Sequence, residues 1–544
     1  MENQEDLENC SQESIYTSNA RRWLLIIVAL GLLIRFIAAY VQPAFIDEGY
    51  VYYLTKTGIE NTIYTLKIDA HPPTFNIIMY PLIMRTANIF LLRLPCVCLS
   101  AVTILLAFAL LRRFMEETAS LTLTALYASS LGIVITDAQL RTYGPLTLSL
   151  TAMWIGLLDV YKYGCPYPGI FQRHPRWRWA LLWLCGCSGA AWHYLGILSL
   201  AACCLSVLFL PRSARIRTLL CLVCGALPSS LWLVWSRMTA GLSHDPPPAG
   251  MSLFHFNHIY YIPACLLNLN INILKPLCAN MLLNSELQYA LNQFVFPLIT
   301  LPLWAVLILG WRNLAKERAW EAAFLGVNLM LPPLLLLGAC VLGKLGYSQT
   351  RYSLPMSIPF FILLFNGLKE ADRPFWQKLF LSINAALLLL LPFCPFLWNQ
   401  SWKDTRAYLD SIRRPNDIIG ICPAYTSHCF AMDYDPEHIS FIFDKDYKVG
   451  MIQQPNPGKT PIFLLDPSMR GSELLRDLHG FRLILIMCQE RVYKDNGALL
   501  NWLSQYYTLA GEHHFVSVWD WADVNTYVLE PKTAASYLPA DKTN

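Results

Sequence analysis

The chain has 544 residues, of which 55% are hydrophobic and only 14% charged, with a formal net charge of +4. Soluble domains carry roughly 25% charged residues, so this composition excludes a water-soluble globular protein. So small a positive charge does not point to a nucleic-acid partner.

The opening residues, MENQEDLENC, are acidic and polar, and the apolar run from Trp23 contains Arg35 and no small-residue cleavage site. It reads as an uncleaved anchor rather than a signal peptide, with residues 1–21 as a cytoplasmic tail. Short cytoplasmic loops collect Lys and Arg. Such clusters occur at Arg21 and Arg22, at Arg112 and Arg113, at Lys162 with Arg173, Arg176 and Arg178, and at Arg212, Arg215 and Arg217. Two more follow at Arg312, Lys316 and Arg318, and at Lys369, Arg373 and Lys378.

Three apolar segments, Trp23–Val41, Pro73–Met84 and Ile89–Leu111, lie between the first two clusters, so one cannot cross. The middle one is short, opens with Pro72 and Pro73, contains Pro81 and is closed by Arg85. It is expected to be an interfacial or re-entrant helix in one long outer loop, residues 43–86. Spans then alternate through Thr118–Ile135, Tyr143–Tyr161, a tight pair within Trp179–Leu210, and Thr218–Trp235. Four more follow at Phe294–Trp311, Ala322–Leu342, Tyr352–Leu368 and Phe380–Trp398, giving about eleven crossings. The expected fold is an all-α polytopic membrane domain over residues 22–398, followed by a small extracytoplasmic α/β domain over residues 399–544. The N-terminus is cytoplasmic. Past Asn399 the strand-length runs DIIGIC, HISFIF, PIFLLD and RLILIM alternate with the helical stretches SWKDTRAYLDSIR, SELLRDLH and GALLNWLSQYY, the alternation of a layered α/β domain. Cys422 and Cys429 lie close together there, where a disulfide is feasible outside the cytoplasm.

Ionisable groups at or in a bilayer are costly, roughly 2.5–3.5 kcal/mol near a helix centre. Outside the basic clusters, nearly all of them fall at outer turns. Asp47 and Glu48 follow the first span in FIDEGYVYYL, as a general base or cation site, or as a solvated pair ending a helix. Asp69 and His71 in DAHPPTFNIIMYP precede a proline-started helix, a place for phosphate or simply a stiffened turn. TDAQLRTYGP supplies Asp137, Arg141 and Tyr143. An outward arginine against the charge rule suits an anionic partner, or else snorkels to headgroups. His193 and Tyr194 occupy the turn of the tight pair, and Lys344, Arg351 and Tyr352 that of GKLGYSQTRYSLP. Collected on one face beside lipid, these groups suit cleavage of a bond to an anionic lipid phosphate.

The order R…DEGY, DAHPP, LRLPCVCLSAVTILLAFALLRRF, RTYGPL, WHYLG and RYSLP resembles the GT-C-fold glycosyltransferases. The resemblance is to the RgtA/B/C/D-like group, related to the lipid A aminoarabinose transferase and the protein O-mannosyltransferases. It covers the first two hundred residues or so and reappears at RYSLP. The resemblance implies an enzyme of the cell (plasma or inner) membrane that moves a sugar from a polyprenyl or dolichyl phosphate to a hydroxyl of a glycan, lipid or protein acceptor, with inversion. Asp47 would be the base, with Glu48 beside it. Asp69, His71, Asp137, Arg141, Tyr143, Lys344, Arg351 and Tyr352 would hold donor phosphate and sugar. A divalent metal ion is a candidate cofactor, with Asp47, Asp137 and His193 as ligands, and no nucleotide is needed. The family's turn carries an acid two residues before its arginine, where this chain has Gln139 and Asp137 stands in. Competing readings are a lipid or glycan transporter or flippase, an oligosaccharyltransferase suggested by VWDWAD near Trp519 to Asp523, and a non-catalytic assembly partner. Scattered His244, Asp245, His255 and His258 are weak additional metal candidates.

Overall fold

The computed structural model describes residues 18–68, 71–168, 174–240, 285–341, 354, 356–368, 373–394, 401–443, 449–465, 480–488, 496–515 and 524–532. Asp69, Lys344, Arg351 and Tyr352 lie outside the described residues, as do His244, Asp245, His255, His258 and the Trp519 to Asp523 string.

The first span is α1 (Ser18–Val41), which packs on α5 (Ile89–Leu111) and α6 (Glu117–Ser129). Between α1 and α5 lie three short helices, α2 (Ile46–Lys56), α3 (Ile59–Ile68) and α4 (Thr74–Ile83). The Pro73–Met84 segment thus forms a ten-residue helix, about 15 Å long at 1.5 Å per residue and too short to span. Behind α5 runs α8 (Tyr143–Tyr163), buried along most of its length and flanked by α9 (Pro175–Trp192). The bundle is completed by α10 (Tyr194–Ser206), α11 (Arg212–Ala240), α12 (Ser285–Glu317), α13 (Ala319–Val341), α14 (Ser357–Gly367) and α15 (Arg373–Leu390). Glycines let backbones touch: a Cβ on Gly310 of α12 would lie 1.9 Å from the Leu363 carbonyl oxygen of α14.

The Thr118–Ile135 span is not one helix. It breaks at Ser130 into α6 and α7 (Leu131–Asp137), bent by 59°. A break in an apolar setting leaves backbone groups that water cannot serve, and neighbouring helices serve them here. Arg35 Nη1 on α1 donates to the Ala128 carbonyl at 2.7 Å, and Asn384 Oδ1 on α15 accepts from the Leu131 N–H at 3.2 Å. Among the described residues three helices are long and apolar enough to cross a membrane, or four with the bent pair. The expected count of about eleven is not reached on that measure, where α10, α14 and the apolar part of α13 are among the shorter apolar helices, as is α4, which is not expected to cross. The chain is an integral membrane protein by its apolar helices.

Several basic clusters share one end of the bundle. Arg113 at the end of α5 pairs with Asp159 of α8 at 2.7 Å, Arg318 donates to the Arg113 carbonyl, and Arg373 pairs with Glu116.

At the other end the chain forms an α/β unit. Helix α16 (Trp402–Ile412) leads into β1 (Ile418–Cys422), α17 (Ser427–Tyr434), β2 (Ser440–Phe443), β3 (Val449–Gln453), β4 (Ile462–Leu464) and β5 (Leu483–Cys488). Then come α18 (Asn496–Leu503), β6 (Tyr507–Phe515) and β7 (Val524–Pro531). The main sheet has the order β4-β1-β5-β7-β6, parallel across β4, β1 and β5 and antiparallel beyond, while β2 and β3 pair separately. The four apolar runs are the strands β1, β2, β4 and β5. Strands β3, β6 and β7 carry no such run, and β6, YTLAGEHHF, is an exposed edge. SELLRDLH falls outside the described residues. Cys422 and Cys429 are both buried and do not form a disulfide.

This unit is built onto the loop after α1. Phe45, Tyr53 and Phe75 share one core with Trp402, Phe430, Phe441 and Ile484. Lys403 Nζ caps α1 by donating to the Tyr40 and Val41 carbonyls at 3.1 and 3.0 Å, a favourable place for a cation. Two buried groups of α17 face this junction. Burial pushes the Asp433 carboxyl up to about 6, against the pull of Lys403, Arg93, Arg406 and the Ala44 N–H. Burial brings His428 down to about 4, against the Asp47 charge and a hydrogen bond to the Ile46 backbone.

The two act with opposite sign. Folded Asp433 holds its proton more tightly than the unfolded chain, so its unfavourable contribution is present above about pH 6 and is relieved on acidification. His428 resists its proton, so it disfavours the fold as pH falls from 6.5 towards about 4. Asp433→Asn is therefore expected to stabilise the protein relative to wild type at pH 7 and to lose that advantage as pH falls through about 6. Thermal unfolding of the detergent-solubilised proteins across this range measures it, and a difference independent of pH would contradict the assignment.

Candidate active site

The site starts from the way α2 begins. Phe45 is its N-cap, in extended conformation, and Glu48 sits three residues on, where its side chain reaches back to the cap. Glu48 Oε2 accepts from the Phe45 N–H at 2.9 Å and Oε1 from the Leu140 N–H at 2.6 Å. Arg93 of α5 spans both oxygens, Nε to Oε1 at 2.8 Å and Nη2 to Oε2 at 2.6 Å. The remaining guanidinium protons go to the carbonyls of Ala39, Gln42 and Pro43, each at 2.8 Å. Both side chains are buried, Glu48 at 0% and Arg93 at 1% exposure. This departs from the expectation that Glu48 is catalytic: its oxygens are consumed in tying together the end of α1, the start of α2, α5 and the α7–α8 turn.

The anchor decides what stands beside it. Asp47 precedes Glu48 and Arg141 follows Leu140, so joining Glu48 to the Leu140 N–H brings those neighbours face to face. Arg141 Nη2 lies 3.3 Å from Asp47 Oδ2, with 12% and 22% of the side chains exposed. Cys96 Sγ donates to the Arg141 carbonyl and helps set the turn.

From Arg141 a line of rings leads to the other turns. Its guanidinium carbon lies 5.7 Å from the Tyr143 ring centre. Tyr143 lies 5.3 Å from His193, His193 lies 5.8 Å from His71, and His71 lies 4.9 Å from Tyr194. His193 occupies the extended corner between α9 and α10, and a Cβ on Gly196 would strike the Gly189 carbonyl at 1.9 Å, so only glycine permits so tight a reversal. Helix α11 fixes the approach of His71. Trp232 Nε1 donates to the His71 carbonyl at 3.0 Å, Ser236 to the Lys67 carbonyl at 2.6 Å, and Lys67 Nζ lies 4.4 Å from the Trp235 ring. Asn76 of α4 donates to Thr55 of α2 at 2.9 Å. Asp47, Arg141 with Tyr143, His193 and His71, drawn from four turns, are thus brought together in one run of contacts at the end of the bundle that bears the α/β unit.

Asp137 is not among them. Its Oδ2 takes Nε and Nη2 of Arg35 at 3.0 and 2.9 Å, and the pair is 0% and 2% exposed. It steadies the broken helix instead of meeting a ligand. His193 Nδ1 accepts from the Leu195 N–H at 3.2 Å. In the neutral ring the proton then sits on Nε2, making that nitrogen a donor rather than a metal ligand. Among the described residues no group of three or more His, Cys, Asp or Glu side chains is arranged to hold a metal ion. The expected trio Asp47, Asp137 and His193 does not assemble, because Asp137 is held by Arg35.

The partners of Arg35 and Arg93, the role of Trp232 and the approach of His428 to α2 did not emerge from the sequence. A signal existed for the two arginines: an arginine inside an apolar span needs a buried partner.

No protein-family model matches the sequence, and no curated protein sequence is significantly similar. Solved structures of GT-C-fold glycosyltransferases are similar in outline. ArnT from Cupriavidus metallidurans in the apo state is 11% identical, with 94% of this chain and 98% of that one covered and a TM-score of 0.48. The Archaeoglobus fulgidus oligosaccharyltransferase in complex with Zn and sulfate is 11% identical, with 90% and 72% covered and a TM-score of 0.44. The arabinofuranosyltransferase AftD from Mycobacteria is 13% identical, with 86% and 35% covered and a TM-score of 0.36.

Removing one member of a buried ion pair strands the other charge, which costs about 3–5 kcal/mol. Arg93→Ala is expected to lower stability by that order, while Arg141→Ala, at a more exposed and longer pair, lowers it distinctly less. Comparing thermal midpoints in detergent tests this, and equal midpoints for the two variants would remove Glu48–Arg93 as the anchor.

Proposed function

We propose that the protein is a membrane glycosyltransferase that moves a sugar from a polyprenyl or dolichyl phosphate to an acceptor hydroxyl on the extracytoplasmic face, with inversion at the anomeric carbon. The observation that supports this reading is the run of contacts that joins Asp47, Arg141, Tyr143, His193 and His71 from four separate turns. Residues 22–398 form the transferase domain in this reading, with the cytoplasmic tail before it and residues 399–544 outside the membrane. The basic end of the bundle is then cytoplasmic, by the charge rule.

Asp47 is partly exposed, so an acceptor hydroxyl can reach it, and its carboxylate takes the hydroxyl proton as the sugar carbon is attacked. The leaving group is a lipid phosphate. Arg141, a planar and permanently charged donor, and the Nε2–H of His193 oppose its growing charge. His71, ahead of the proline-started α4, approaches the same phosphate, and the short helices α3 and α4 lie where a prenyl chain enters from the side. Asp69, Lys344, Arg351 and Tyr352 keep their place in this reading as donor-binding residues. A divalent ion fits the described donors poorly, since Asp47 is engaged by Arg141, Asp137 by Arg35, and His193 presents a proton. No step is routed through one.

Asp47→Asn is expected to reduce transfer from radiolabelled polyprenyl-phosphate sugars by roughly 10²–10⁴-fold with an unchanged thermal midpoint, and a chelator is expected to leave the wild-type rate intact. Activity from nucleotide sugars alone would overturn the donor assignment. Abolition of the rate by the chelator, with recovery on adding a divalent ion, would overturn the metal-free one.

A further inference from the structure

Among the described residues, the α/β unit packs against the helix that carries Asp47. Gly49, two residues after Asp47, faces α17 so closely that a Cβ there would lie 2.9 Å from the His428 carbonyl carbon and 3.0 Å from the Cys429 nitrogen. The obstacle is backbone, so no side-chain rearrangement of α17 makes room for a methyl group. His428 is 2% exposed, hydrogen-bonds the Ile46 backbone and lies within electrostatic reach of Asp47. Its ring sits 6.1 Å from Tyr50 and 6.3 Å from Phe441, spanning α2 and the β2–β3 pair. Ile46 and Asp47 are the first two helical residues of α2, so a bond to Ile46 fixes the turn from which the Asp47 side chain departs.

We propose that α17 is a wall of the transfer site and that His428 is a positioning residue for Asp47. This rests on the reading of Asp47 as the base. The α/β unit then does more than cover the membrane domain. It holds the first turn of α2 against Arg141 from the side opposite the membrane, and it keeps water from that side of the carboxylate. A neutral histidine suits the place: it donates to the Ile46 carbonyl and adds no second cation to compete with Arg141. Misplacing a reacting group by about 1 Å can cost on the order of 100-fold in rate, so a modest shift of α17 is expected to register in turnover.

The test is a cycle of His428→Phe and Asp47→Asn in the full chain, assayed with saturating polyprenyl-phosphate sugar. H428F is expected to lower kcat at least about tenfold with the donor KM unchanged. H428Q, which keeps an N–H donor, is expected to recover most of it. In the D47N background H428F is expected to have no further effect, because there is no base left to position. Gly49→Ala, which forces α17 away by backbone contact, is expected to behave like H428F and carries the same test if H428F does not fold. Wild-type kcat in H428F, or in G49A, would overturn the proposal, and so would an equal fractional loss with and without Asp47. Full activity of D47N would instead overturn the assignment of Asp47, so the two failures are distinguishable.

Discussion

Glu48 and Arg93 are the point on which the outer end of the molecule depends. Two charges withdrawn from water lose several kcal/mol of solvation each, and attraction offsets this only when geometry is good and every remaining proton and lone pair is used. That condition is met here by five backbone groups as well as the pair itself. The groups belong to the end of α1, the cap of α2 and the α7–α8 turn, so one interaction sets the positions of three chain segments. Asp47 and Arg141 are covalent neighbours of residues in that lock, and their pairing follows from it.

The adjacent acids at positions 47 and 48 therefore do different work despite equal chemistry. Helix geometry turns Glu48 back to the N-cap and into the protein, while Asp47, one residue earlier, projects to the rim. A fully satisfied, water-free carboxylate has no lone pair to offer a substrate. A partly exposed one, such as Asp47 opposite Arg141, stays within a substrate's reach. The same division separates Asp137, bound to Arg35 beneath the turn, from Arg141 on the turn itself.

The membrane-embedded helices show a related economy. Breaking the α6–α7 span bends the chain towards the site, and the freed backbone groups are taken up by Arg35 and Asn384 from helices at opposite ends of the membrane domain's sequence. Turning α9 back into α10 at His193 relies on glycines that let the two backbones meet. Polar and small residues within apolar stretches thus mark where the bundle departs from straight helices, and those departures are what carry functional side chains to one end.

Much of this was legible in the amino-acid order. Apolar length and basic clusters announced a polytopic protein, the prolines around residues 72–81 announced a helix too short to cross, and the composition change after Asn399 announced an α/β unit. These are local properties, written in periodicity, proline geometry and charge. The turns bearing Asp47, His71, Arg141 and His193 were visible for the same reason, since a costly ionisable residue at a membrane surface stands out wherever it occurs. Which acid faces inward, which arginine is bound to which carboxylate, and which element of the distant α/β unit lies against α2 were decided only by tertiary structure. Partnerships such as Glu48 with Arg93 and Leu140, or Gly49 with His428, join residues 45, 92 and 379 positions apart. No local periodicity encodes such separations, because the energy that selects them exists only once the segments are packed and water has gone.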